Sequence, residues 1–394
     1  MRIAIVHYWL LNMRGGEKVV EALCDMFPDA DVYTLFYDPD RVSPSIRAHT
    51  VGTSFLQPLR KYYRSLLPLM PAALENLDLR GYDLVISSES GPAKGVLISP
   101  GTRHICYCHT PMRYVWDLYH TYRNEWIRNP IQRVCFTLTA SYLRTWDYAA
   151  AQRVDQFVAN SDNVRQRISN FYRRDAKVIH PPVDVVEFYW RPSEDYFLIV
   201  SELVAHKRVE TAIRACRDTG QKLRIVGDGP EFRALRRLAS SNIEFCGRVP
   251  ARDLREIYAR CRALLLPGDE DFGIVAVEAL ASGKPVIALG RGGALETVPL
   301  KEPTGGLLYS EPTRCSLALA LKAFDRIEPE VNPDLLQMHA KQFGKPVFIR
   351  KINELIDGQT KRSLQNLCRS MTSEIIDKNI LGVSENGHAP VVTS

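Results

Sequence analysis

The sequence predicts an α/β protein made of two Rossmann-like, doubly wound domains facing a central cleft. Three observations carry this. At 394 residues the chain is long for one hydrophobic core and comfortable for two. Short apolar runs alternate with segments of helical spacing, the pattern of parallel sheets covered by helices. The prolines Pro181 and Pro182 force extended backbone near the middle and mark a link. The expected organisation is a first domain over 1–180, a link to about Pro192, a second domain over 193–332 and closing helices over 333–357. Residues 358–394 are polar and lack a steady period, and read as a flexible tail.

Composition narrows the class. Apolar residues make up 45% and charged residues 24%, as in ordinary soluble proteins. The net charge of +6 favours phosphate ligands or acidic surfaces, and with no arginine-rich run nucleic acid is not expected as a partner. Nine scattered cysteines read as structural thiols in a reducing compartment. Cys106 and Cys108 share one face of a strand and have no matching second pair, so no metal is expected. The chain enters a strand at once with no signal-peptide pattern, and no apolar run approaches the roughly 20 residues of a membrane span. A cytoplasmic location is expected, any lipid-linked substrate being met from outside the bilayer.

Taken in order, residues 3–6 read as a strand. A loop with Gly15 and Gly16 follows, then Val19, Val20, Leu23 and Met26 at helical spacing. Paired glycines let backbone N–H groups approach a ligand, though taken alone they read first as a plain turn. Residues 31–36 and 83–87 read as strands. Between them, 59–67 is basic and aromatic. On a helix it would be amphipathic, packing on its own sheet or touching anionic lipid heads at the inner face of the membrane. Residues 104–111 read as a strand that ends at a proline turn, with His109 near its carboxyl end, where open α/β sheets face their ligand crevice. Residues 156–161 are the next strand.

The second half alternates cleanly: strands at 196–201, 222–226, 243–246 and 263–266, helices at 208–217, 231–239 and 254–260. Gly227, Gly229 and Pro230 follow one strand and fit either a turn or a close approach to a ligand. Lys207 and Arg208 follow another and suit a diphosphate, although out of context Lys207 reads as an exposed lysine.

The stretch 267–285 organises the rest. An acidic loop with Glu270 leads into a segment apolar on every side from Ile274 to Ser282-Gly283, a helix stop. That segment carries a single carboxylate, Glu278, and buried glutamate is rare unless paired. Eight residues of helix span roughly 12 Å, too far for one proton but suited to the two ends of an elongated polar ligand. The amides of Phe272, Gly273, Ile274 and Val275 would hold its middle.

These residues resemble the donor-site signature of retaining nucleotide-sugar glycosyltransferases of family four, which have the GT-B fold. The match runs through Glu270, Phe272-Gly273-Ile274-Val275, Glu278-Ala279-Leu280-Ala281-Ser282-Gly283-Lys284-Pro285 and Gly290 to Val298. The longer string Cys108 to Asp117 is similar to mannosyltransferases of bacterial surface-polysaccharide assembly, including lipopolysaccharide. The resemblance implies several things. The glycine loop faces the diphosphate and the acceptor, and His109 lies near the transferred sugar. Glu270 binds sugar hydroxyls, and Glu278 the ribose. The last helix crosses back to the first domain, and no divalent metal or other cofactor is needed. The expected activity moves a hexose, best mannose from GDP-mannose, to a glycan or lipid-linked acceptor. A nucleotide-sugar epimerase, or an inactive nucleotide-sugar-binding subunit, are the alternatives. One departure stands out: the family's Gly-Arg-Leu step is Ser201-Glu202-Leu203 here, an acid where a phosphate-binding cation is usual.

Overall fold

The structure is a computed structural model that describes residues 1–301 and 304–358. The expected tail, from 359 onward, lies outside the described residues. The chain divides into a large unit, Met1–Phe348, and a second beginning at Ile349, whose described residues 349–358 are helical.

The large unit holds two wholly parallel sheets. The first contains β1 (Ile3–His7), β2 (Asp31–Thr34), β3 (Val51–Thr53), β4 (Leu84–Glu89), β5 (Arg103–Cys108), β6 (Gln156–Ala159) and β7 (Ala176–Val178). Their spatial order is β3-β2-β1-β4-β5-β6-β7. The second contains β8 (Phe197–Val200), β9 (Leu223–Val226), β10 (Ile243–Gly247), β11 (Leu264–Leu266), β12 (Val286–Leu289) and β13 (Gly306–Tyr309), in the order β10-β9-β8-β11-β12-β13. Parallel strands are covered on both faces, which is why β1, β4 and β11 are buried throughout, β11 wholly apolar and β1 and β4 apolar until the polar residues at their carboxyl ends. Strand order reverses between β1 and β4 and again between β8 and β11. The loops leaving those strands therefore splay apart and open a crevice at each switch point.

Several elements differ from expectation. β2 stops at Thr34 and β4 runs on to Glu89. β3, β7 and β13 are three or four residues long, too short to show a period. The basic segment is not an amphipathic α-helix. Gln57–Leu69 winds as 3₁₀ turns, with non-helical backbone at Leu59 and Tyr62 and Pro68 near its end. The 23-residue helix Pro130–Gln152 was invisible to periodicity, because it carries large apolar side chains outward as well as inward.

The Ile274–Ala281 helix is buried along most of its length, among side chains such as Leu264, Val286 and Leu336. After the Pro333–Ala340 helix the chain returns to the first half of the unit. Lys345 Nζ lies 2.5 Å from Asp25, and the Phe348 ring sits 5.7 Å from that of Tyr107.

Candidate functional site

The loops after β1, β4 and β5 meet those after β8, β9 and β11 around one cleft of about 1010 Å³. On the wall of the second sheet, Lys207 follows β8 and Glu270 follows β11. Their side chains meet at 2.5 Å, Lys207 donating to Glu270 Oε2. Beside them Gly273 takes a left-handed backbone, φ +87°, which starts the Ile274–Ala281 helix. Its first turn, with Phe272 to Val275, lines the cleft and turns the positive end of the helix toward it.

Gly227 also lines the cleft, at φ +135°. A Cβ there would sit 1.9 Å from the Ser201 carbonyl oxygen. A Cβ on Gly229 would likewise run into the Leu203 carbonyl oxygen. These glycines thus let two loops lie backbone on backbone. Gly229, Pro230 and Arg208 are not on the cleft lining.

Glu278 is also absent from that lining. It is buried, accepts the Tyr258 hydroxyl at 2.9 Å, and faces Lys18 Nζ at 3.5 Å. The two acids therefore differ: Glu270 opens on the cleft, while Glu278 sits behind it, held by a tyrosine and a lysine. Lys18 is half-exposed and reaches Glu278 from the first half of the unit.

The opposite wall carries Gly15, Gly16 and His109. The glycine loop is tied down by Glu17, whose carboxylate accepts the Arg14 N–H at 3.1 Å. A Cβ on Gly15 would meet Ile274 Cδ1 at 2.9 Å, so the loop lies directly against the opposite helix. His109 Nε2 is paired with Ser88 Oγ at 2.9 Å, and His7 Nδ1 with the Ser88 carbonyl at 2.7 Å. Burial lowers the His109 pKa to about 4. Burial, then the neighbouring His109, lowers that of His7 to about 3. Both rings are neutral at physiological pH and act as hydrogen-bonding groups.

Ion pairs cross the cleft. Arg14 donates to both oxygens of Glu202, at 3.1 and 3.4 Å. The acid in the place of the family's arginine thus has a cation supplied by the other wall. Arg113 approaches Asp271 at 3.4 Å and Asp269 at 3.8 Å. Arg167 pairs with Asp271, lies 3.7 Å from Asp269 and donates to Thr110 Oγ1 at 3.1 Å. Ser161 donates to the Asp271 carbonyl at 2.6 Å. The loop bearing Glu270 is therefore gripped on both sides of that residue. Glu296 accepts the N–H groups of Asp162 and Asn163 at 2.9 and 3.2 Å, capping the Asp162–Tyr172 helix from the other wall. Sequence reading missed Arg14, Arg113 and Arg167 as site residues, although Arg113 lies within Cys108 to Asp117. Among the described residues no group of His, Cys, Asp or Glu is arranged to hold a metal ion.

Residues 13–187 match the model described as Glycosyltransferase Family 4, and residues 187–336 match Glycosyl transferases group 1. Over 117 residues the chain is 36% identical to the GDP-mannose-dependent alpha-(1-6)-phosphatidylinositol monomannoside mannosyltransferase of Mycobacterium tuberculosis, covering 25% of this chain and 30% of that one. Over 186 residues it is 26% identical to the O-antigen chain mannosyltransferase of Salmonella typhimurium, covering 43% and 51%. The matched stretches span about a third to a half of these curated relatives. An Anabaena protein solved with UDP superposes over 91% of this chain and 100% of its own, with a TM-score of 0.65 at 17% identity. That likeness is one of fold, the two-sheet GT-B architecture.

Proposed function

We propose, for a chain that belongs to the group 1 and family 4 glycosyltransferases, that it moves a hexose from a nucleotide sugar to a hydroxyl of a glycan or lipid-linked acceptor, retaining the anomeric configuration. The carrying observation is the Lys207–Glu270 pair set beside the N-terminal turn of the Ile274–Ala281 helix, at the switch point of the second sheet. A cation and free amides suit a diphosphate, and a neighbouring carboxylate suits sugar hydroxyls.

In this reaction the bond between the anomeric carbon and the phosphate oxygen breaks, and its electron pair passes to the phosphate. The acceptor oxygen bonds to the anomeric carbon on the same face, and its proton passes to the departing phosphate. Lys207 and the amides of Phe272 to Val275 stabilise the charge that develops. Neutral His109 offers a hydrogen bond to the transferred sugar. Mannose from GDP-mannose is the favoured donor, supported by the mannosyltransferases among the curated relatives. The domains keep their proposed roles, donor on 193–332 and acceptor on 1–180.

Two measurements test this. Thermal shift against GDP, UDP and ADP, each with its sugars, should single out one nucleotide. Mass spectrometry should then show that sugar on an added acceptor. Donor consumed and isomerised without acceptor would mean an epimerase, and binding without any transfer an inactive subunit. Full activity is expected in excess chelator, since lysine and amides supply the positive charge; loss on metal removal would contradict this.

For Glu278 the ribose role now requires a rearrangement, because Tyr258 and Lys18 hold its oxygens. Glu278→Gln is expected to weaken nucleotide affinity at least about tenfold in calorimetry, by removing a charged acceptor from two ribose hydroxyls. Unchanged affinity with a lowered melting temperature would make Glu278 a structural group.

A further inference from the structure

We infer that the outer face formed by the Pro130–Gln152 helix and the Gln57–Leu69 segment docks on an anionic lipid surface. The helix carries Ile131, Val134, Leu138 and Tyr142 at spacings of three and four, one continuous stripe. These side chains are 73%, 61%, 67% and 50% exposed. The inner side of the same helix buries Ala140 and Leu143. A soluble helix normally turns such a stripe inward; here both faces are apolar and only one is covered.

The second element lies alongside. Leu67 packs on the cluster of Met112, Val115, Ala140 and Leu143, which joins the segment to the helix. From it Leu59, Tyr62 and Leu69 project into solvent.

Charge decides what covers this face. Residues 55–69 and 126–146 contain no acid. They contribute Arg60, Lys61, Arg64 and Arg128, all exposed, with Arg133 and Arg144 tied back to the carbonyls of Ile127 and Val115. Apolar side chains bordered by these cations fit acyl chains beneath anionic head groups. A second copy of the chain fits poorly, because a two-fold contact would set cation against cation. Docking of this kind lies along the surface: among the described residues no helix is long and apolar enough to cross a membrane.

The inference stands apart from sugar transfer, and its test reads binding rather than turnover. Full-length protein is sedimented with phosphatidylglycerol–phosphatidylcholine vesicles and with pure phosphatidylcholine vesicles, at low and high salt. It should pellet with the anionic vesicles and release partly in salt. Each exposed cation is worth about fivefold at such a surface. The triple variant Arg60→Gln, Lys61→Gln, Arg64→Gln should therefore lose about a hundredfold at low salt. Ile131→Gln with Leu138→Gln should lose about tenfold or more at either salt. Both variants replace exposed groups, so thermal midpoints should match the wild type. Equal binding to both vesicle types, or binding unchanged in both variants, would overturn the inference. So would a concentration-dependent dimer that the Ile131→Gln, Leu138→Gln variant abolishes, since a second copy would then be the occupant.

Discussion

Lys207→Ala is expected to lower turnover about 100- to 1000-fold, the usual cost of losing one group aimed at developing charge in a shielded site. Lys207 stands on the loop after β8 with under a quarter of its side chain exposed, its ammonium 2.5 Å from Glu270. In the proposed reaction, negative charge on the phosphate grows as the anomeric bond stretches. A cation beside it is worth more in the transition state than with the intact donor. The loss should therefore appear in kcat more than in donor affinity. Arginine at this position should restore only part of it, since its planar fork cannot reproduce a point charge. Initial rates across donor concentration, with calorimetric Kd for the nucleotide sugar, check this. A loss confined to affinity would make Lys207 a binding group. Lys207 also holds Glu270, and Glu270→Gln in the Lys207→Ala background separates the roles. If Lys207 serves only to place Glu270, the second substitution should add little.

The second site of interest is the grip on Glu270 itself, and it shows where sequence reading stops. The sheets were legible because most buried parallel strands are apolar runs, so 3–6 and 263–266 stood out. The motif around Glu270 and Phe272 to Val275 was legible because its residues are contiguous and act together. The groups that bind this loop to the far wall were not. Arg14 and Glu202 are 188 residues apart in the chain, and Arg167 and Asp271 are 104 apart. No local pattern announces such a pair; it arises only when two switch points face each other. Glu202 illustrates the consequence. Read alone, it is an acid where a cation belongs. In the fold it recruits a cation from the other wall. Glu278 shows the converse error of emphasis. Burial correctly flagged a carboxylate that needs partners, but its partners here are Tyr258 and Lys18. The string Cys108 to Asp117 divides too. His109 and Arg113 face the cleft, whereas Trp116 turns inward and donates its indole N–H to buried Asp147 at 2.8 Å.

That aspartate belongs to a fully buried charge cluster, and breaking it should give the largest stability effect in the molecule. Lys94, Glu89 and Asp147 are each completely shielded from solvent. Lys94 Nζ pairs with Asp147 and lies 3.1 Å from Glu89, while Tyr172 donates its hydroxyl to Asp147 at 2.8 Å. Lys94→Met keeps the volume but leaves two carboxylates without a cation. Removing one partner of a buried pair costs about 3–5 kcal/mol, far more than the pair gains over apolar groups. A lowering of the thermal midpoint by roughly 5–10 °C should follow. The effect also carries a sign with pH. Burial raises the Glu89 pKa from 4.5 to about 7, with Lys94 opposing the rise. A raised carboxyl pKa gives stability at acid pH that is lost as pH climbs through the folded value. Without Lys94 the opposing influence disappears, so that loss extends to higher pH. The midpoint deficit of Lys94→Met should therefore be smaller at pH 5 than at pH 8. Adding Glu89→Gln and Asp147→Asn should recover part of the stability, because neutral amides need no cation. Scanning calorimetry of the single and triple variants at both pH values checks both signs. A deficit independent of pH, with no recovery in the triple variant, would place the cost in packing around Lys94 and not in its charge.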